Sequence, residues 1–285
     1  MLSLASCSGD GGDEEIPLIT FNLPHDYPAL VNGVSIESCP DRVVALTPVM
    51  IEVVFALGSY AQLAGVGENC NYPESAASMK KYGKIGNLDY DALSADGVSL
   101  ILTSAPLSDA EKLRLITMDI QLVFIEAAFD RNGLYSLYRK TGMVMAGEST
   151  GTKNADNTVS RLFSKIDNAA AGESKGKAAL ILDYGNAVAT PDSLAGELLS
   201  KAGYTNAAAG TNLQTNMQEL AEAKPMYIFC SIEQIDDIMN DEWLKNTPAV
   251  ENNHVYAVDM SMLSGQGERM FDFVLSLRDV GLGDN

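Results

Sequence analysis

Leu4-Ala5-Ser6-Cys7 places small residues at Ala5 and Ser6 ahead of a cysteine whose thiol can take a lipid. The hydrophilic, acidic run Ser8–Glu15 behind it cannot bury enough apolar surface to fold, so it reads as a solvated tether. The expectation is cleavage before Cys7, a lipid on Cys7, and a signal remnant plus tether over residues 1–15. A coincidental Leu-Ala-Ser-Cys in a solvated end is the alternative. If the tether reading holds, the protein works outside the cytoplasm, on the periplasmic face or cell surface of a bacterial membrane.

Other chemistry is scarce. Only two histidines occur, His25 in the N-terminal tail and His254 just ahead of a strand-like run, both expected at the surface. A site for free Zn²⁺ or Mn²⁺ needs clustered imidazole and carboxylate ligands, and that histidine supply does not provide them. Nor can the two histidines complete a Ser/His/Asp arrangement. Asp183 or Asp259 could act in acid–base chemistry, but no nucleophile–base pair accompanies either. Gly9-Asp10-Gly11-Gly12 has no strand before it and is linker rather than a phosphate loop. Cys39 precedes one strand-like run and Cys70 follows the next; in a parallel sheet that puts them at opposite edges, beyond the ~7 Å limit between Cα atoms of a disulfide. No bridge is expected.

These groups sit in 285 residues, 46% hydrophobic, enough for one large core or two smaller ones. No apolar run approaches the roughly 18 residues that span a bilayer. A formal net charge of −19 argues against nucleic acid, whose phosphates would be repelled.

From about Asp41 the chain alternates short apolar runs with helical ones, the pattern of parallel α/β layers. Arg42–Leu46, Leu63–Gly67, Leu100–Thr103 and Leu122–Ile125 read as strands of a first unit. Thr47-Pro48 opens a helix that Gly58 stops. A hairpin over Ile16–Ser38, with Leu18–Phe21 and Val34–Ile36 as its strands, is expected to pack on this unit. From about Asn132 to Ala171 a long helical stretch follows, and Gly172–Lys177 breaks it. Strands then return at Ala179–Leu182, Met226–Phe229 and Val255–Val258, with helices near Leu194–Ala202 and Glu268–Val280. The plain expectation is an α/β protein of two Rossmann-like lobes with parallel central sheets, joined by a single long backbone helix, with a ligand cleft between the lobes. Its parts are 16–130 for the first lobe and leading hairpin, 131–174 for the linker, and 175–285 for the second lobe.

The ordered set of segments carries a resemblance. Arg42–Pro48 with Glu52 and Phe55–Gly58, Gly65–Gly67 with Asn71–Glu74, and Lys84–Asn87 follow one another as in the helical-backbone substrate-binding proteins of ABC importers. So do Glu197–Asn206, Lys224–Phe229, and Trp243 through Pro248–Val250 to His254–Asp259. The resemblance runs from about Arg42 to the C-terminus. It implies a monomeric, non-enzymatic protein without a resident cofactor, which passes cobalamin, haem or a ferric siderophore to importer permease and ATPase subunits. A chelatase-like enzyme on the same architecture is the alternative of another class. A helix is stiffer than paired strands, so free and bound forms are expected to differ little.

In such lobes ligands meet the loops at the carboxyl ends of the strands. The first lobe then offers Pro48, Met50, Asn69, Tyr72, Ile85, Gly86, Asn87, Ser104 and Phe129; the second offers Tyr184, Asn212, Ser231, Met260 and Met262. This mainly apolar set, with aromatic and thioether groups, suits a large flat ligand. It lacks the arginine cluster that an anionic catecholate or citrate chelate wants. Asn71-Tyr72-Pro73 resembles the cobalamin branch. Ile85, Ser104 and Asn212 stand where that branch has tryptophans, and Tyr184 alone keeps an aromatic. The balance tips slightly to a corrinoid over an iron complex, with ferric siderophore or haem as the alternative. The resemblance also implies one permease-docking acid per lobe, seven residues before a Pro-Asp pair. That register points to Asp91, although the pair has become Val98-Ser99, and to Gln218 with Glu219 beside it.

Overall fold

A computed structural model describes residues 26–167 and 174–280 of the chain. Cys7, His25 and the expected strand Leu18–Phe21 lie outside them. The first lobe is built on β1 (Val43–Ala45), β2 (Leu63–Val66), β3 (Leu100–Thr103) and β4 (Gln121–Phe124), all parallel in the order β2-β1-β3-β4. The second lobe contains β5 (Lys177–Asp183), β6 (Ala187–Val188), β7 (Thr205–Asn206), β8 (Tyr227–Cys230) and β9 (Val255–Ala257). Here β8 joins β5 to β9 in parallel, while β7 pairs in parallel and β6 antiparallel along the other side of β5.

Both sheets bury both faces, which explains their continuous apolar runs. Val43, Ala45, Leu100 and Leu102 face a large core that continues into the second lobe through Ala178, Leu180 and Phe229. Val44 and Ile101 face a separate outer cluster, as Ala179, Ile181 and Ile228 do in the second lobe. The period-2 alternation thus serves two cores per sheet.

Three of the helices that pack into the shared core position the lobes. α1 (Pro48–Ala56) begins with proline at its first position, where a missing N–H costs nothing. The expected single stretch from Asn132 to Ala171 is two helices, α2 (Arg131–Ala146) and α3 (Glu148–Asp167). Gly147 separates them with φ of 82°, and Asp26 occupies the space its Cβ would need. Asp26 also caps the new helix, accepting from the N–H groups of Ser149 and Thr150 and from the Thr150 hydroxyl. The apolar period continues across this break, so pattern alone did not reveal it. With 20 residues, α3 is about 30 Å long and is the backbone helix between the lobes. It reaches the C-terminal helix through Arg161–Glu268 and Lys165–Asp272 ion pairs.

The leading hairpin pairs Ala29–Val31 with Val34–Ile36. The asparagine and glycine at its turn, Asn32 and Gly33, both have positive φ, as a tight hairpin turn requires. It meets the first lobe where Gln121 donates to the Ser35 carbonyl and Asn32 to that of Phe124.

Cys39, Cys70 and Cys230 are free thiols. Cys39 accepts from Gln62, whereas Cys70 is buried and lies 3.8 Å from the Ala45 carbonyl. His254 is not a plain surface residue: it is half-buried and stacked against Tyr227, 5.2 Å between ring centroids.

Candidate functional site

A cavity of about 290 Å³ lies where the lobes meet, at the lower edge of the size range for small-molecule pockets. Phe129, in the loop between β4 and α2, forms part of its wall from the first lobe. The second lobe contributes Leu182 at the end of β5, Leu213, and Leu194 and Leu198 of α4 (Leu194–Lys201). Met260 and Leu263 follow β9, and Met270 lies in α5 (Glu268–Asp279). The polar groups on the wall are Ser193, Ser264 and Gln266. None of the lining residues carries a charge.

Two of these polar groups already serve the fold. Ser193 caps α4 by accepting from the Gly196 N–H at 3.1 Å. Gln266 accepts from the Ala128 N–H at 2.7 Å and donates to the Ala128 carbonyl at 2.6 Å, while its own carbonyl accepts from Tyr138. This two-point amide clamp pins the segment before α5 to the loop that leaves the first sheet. Its members lie 138 residues apart.

Of the residues expected at the cleft, Phe129 and Met260 line the cavity. Met262 is half-buried beside the shared core. Met50 is different: its side chain is fully buried in that core, because α1 turns this face inward. It is packing and not cleft wall. Ser104 shares a 2.8 Å hydrogen bond with Thr47 at the start of α1, beside half-buried Pro48. Asn69, Gly86 and Asn212 are exposed loop residues, Asn87 is exposed at the start of a two-residue strand that pairs with Gly83–Lys84, and Ile85 leans on the outer cluster of its lobe. The Gly86 N–H donates to Glu111. Tyr184 donates to Asp241 at 2.7 Å, which pushes its phenol up to about 12. Ser231 stands half-buried at the end of β8. Tyr72 is 40% exposed and stacks on Arg269 of α5.

The leucines of α4, Leu263, Met270 and Gln266 escaped sequence reasoning. The usable signal was Gly265-Gln266-Gly267, a polar residue between two glycines ahead of an apolar helix.

Asp91 and Glu219 are exposed in the first turns of short helices, Tyr90–Ala95 and Met217–Glu222. Asp89 and Asn216 cap those helices. Among the described residues no group of three or more His, Cys, Asp or Glu side chains is placed to hold a metal ion. No helix among them is long and apolar enough to cross a membrane.

The family described as periplasmic binding protein matches residues 43–261. Comparison with curated proteins gives no match. Among solved structures, a possible iron-binding (periplasmic solute-binding) protein from Staphylococcus epidermidis ATCC 12228 is 19% identical with TM-score 0.69, covering 85% of this chain and 98% of that one. The periplasmic haem-binding protein HutB of Vibrio cholerae is 20% identical with TM-score 0.66, over 83% of this chain and 97% of its own. The vitamin B12-binding protein BtuF of Vibrio cholerae is 19% identical with TM-score 0.60, over 84% and 95%. At such identities the likeness shows the two-lobed fold.

Proposed function

This chain belongs to the periplasmic binding protein family, and from that premise we propose that it is a lipid-anchored, extracytoplasmic capture protein for an ABC importer. Its ligand is a corrinoid-like metal complex, larger than the cavity, so that one apolar edge of it enters there while the rest lies in the open cleft between the lobes, bound without chemical turnover. The observation that carries the ligand class is the uncharged wall of the interlobe cavity, where leucine, methionine and Phe129 surround three neutral polar groups. Such walls reward apolar contact area and have no countercharge for a polyanion. The loops that lead from the strands of the two main sheets into the next helices point the same way. They carry Glu68, Glu126, Asp130, Asp192 and Asp259, with Asp183 at the end of β5 and Glu233 in the short turn after β8, and no lysine or arginine. An anionic catecholate or citrate chelate would meet like charge there.

Cyanocobalamin, haemin, ferric citrate and a ferric catecholate, titrated separately into the purified protein, test this. Binding of the corrinoid at micromolar or tighter dissociation constant is expected, with none for the two anionic chelates. A catecholate that binds while cobalamin does not would reverse the assignment.

Delivery is proposed through Asp91 and Glu219, whose exposed carboxylates can pair with permease arginines and steer the encounter. Exchanging both for arginine is expected to leave ligand affinity intact and abolish uptake through the cognate importer. Uptake that survives the double reversal would reduce them to ordinary helix-start acids.

A further inference from the structure

Arg269, the second residue of α5, touches three segments at once. Its Nε donates to Glu52 Oε1 at 2.8 Å, and its Nη2 lies 2.5 Å from the same oxygen. Its Nη1 donates to the Ser261 hydroxyl at 3.0 Å. Its guanidinium carbon stands 4.6 Å from the centroid of the Tyr72 ring. Glu52 belongs to α1, Tyr72 to the loop that leaves β2, and Ser261 to the segment after β9 that carries Met260 and Met262. One cation therefore links the first lobe's core, an exposed aromatic of that lobe, and the cleft loop of the other.

The chemistry of each contact needs a guanidinium. A planar, delocalised cation can lay its edge on a carboxylate and its face on a phenol ring; an ammonium offers a point charge and cannot do both in fixed geometry. Glu52, 1% exposed at its side chain, neutralises the charge where water is excluded. The arrangement is tightly enclosed: a Cβ on Gly265 would fall 1.8 Å from Glu52 Oε1, and one on Gly267 2.6 Å from Glu52 Cβ. Two glycines bring the chain over the carboxylate, and α5 then delivers Arg269 to it.

We propose that Arg269 is a positioning residue for ligand capture. It backs the Tyr72 ring and ties it to the short helix Ser261–Ser264 that follows Met260, so that contacts from the two lobes are presented as one surface. The capture role rests on the reading that Tyr72 and Met260 meet the ligand; the coupling of Tyr72 to Arg269 does not.

The test uses Arg269→Lys, Tyr72→Leu and the double variant, with two readouts. Backbone hydrogen exchange, resolved by mass spectrometry, needs no ligand. Arg269→Lys keeps the charge beside Glu52, yet exchange over residues 69–73 is expected to accelerate about tenfold, the worth of a partly desolvated stacking contact. The second readout is the dissociation constant for cyanocobalamin. Each single variant is expected to weaken it about tenfold, and the double variant hardly more than either single, because both remove one unit. Unchanged exchange over 69–73, or losses that simply multiply, would make Arg269 a fold residue with no part in presenting Tyr72. If the unaltered protein binds no cobalamin, the ligand assignment fails, and hydrogen exchange still decides whether Arg269 positions Tyr72.

Discussion

Replacing Gly151 with valine is expected to destabilise the protein by about 3 kcal/mol, the upper part of the range for overpacked interiors. Gly142 of α2 and Gly151 of α3 face each other across the turn at Gly147. A Cβ on Gly151 would lie 2.1 Å from the Gly142 carbonyl oxygen, and one on Gly142 2.4 Å from the Gly151 oxygen. The obstacles are backbone atoms, so no rotamer change relieves them. Glycine within a helix forgoes about 1 kcal/mol relative to alanine. Two facing glycines therefore sacrifice helical propensity for close approach. Gly151→Ala decides which effect wins: it regains the propensity but adds the clashing carbon, and its urea midpoint is expected to fall below that of the unaltered protein at equal slope. A midpoint that rises would mean that the helices part cheaply and that the close approach is incidental.

The second large effect is at Glu52. Glu52→Ala is expected to cost about 3 kcal/mol, since removing one partner strands the other. The low end of that range applies because the Arg269 side chain keeps 16% of its exposure. Glu52→Gln should cost less, as it retains the shape and a neutral acceptor. The two carboxyl forms also predict a pH trend. Burial pushes the Glu52 carboxyl above its ordinary 4.5, against the pull of Arg269. A carboxyl raised in the folded state adds stability that is complete below its unfolded value and declines as pH rises through the folded one. The stability of the native protein relative to Glu52→Gln should therefore be greater at about pH 4 than at about pH 7. Paired urea titrations cancel the other carboxylates. A gap that widens in the native protein's favour towards neutrality would show that Arg269, not burial, governs the site.

Much of the architecture was legible because its signals are local. Val43–Ala45, Leu100–Thr103 and Tyr227–Cys230 are continuous apolar runs, and such runs suit strands covered on both faces. Pro48 marks the start of α1 within a few residues of its strand. The hairpin strand Val34–Ile36 is legible in its β-branched run, but its partner is Ala29–Val31 and not Leu18–Phe21, because three residues are too short a stretch to carry a pattern. The break at Gly147 was missed because α2 and α3 share an apolar period, and the residue that fills the turn, Asp26, is distant in sequence.

The sequence by itself determined the α/β class, the two parallel sheets, the helical linker and the poverty of metal-binding and nucleophilic groups, all of which follow from composition and short-range period. It also located the loops at the strand ends, and Phe129 and Met260 do line the cavity. Which other side chains join them was decided by tertiary structure alone. Met50 turned into the core because the orientation of α1 depends on what packs against it. Gln266 found Ala128 across 138 residues and Arg269 found Glu52 across 217. Hydrophobic period reports which face of an element is buried, but pairing between polar groups on different elements depends on how the folded lobes bring them together.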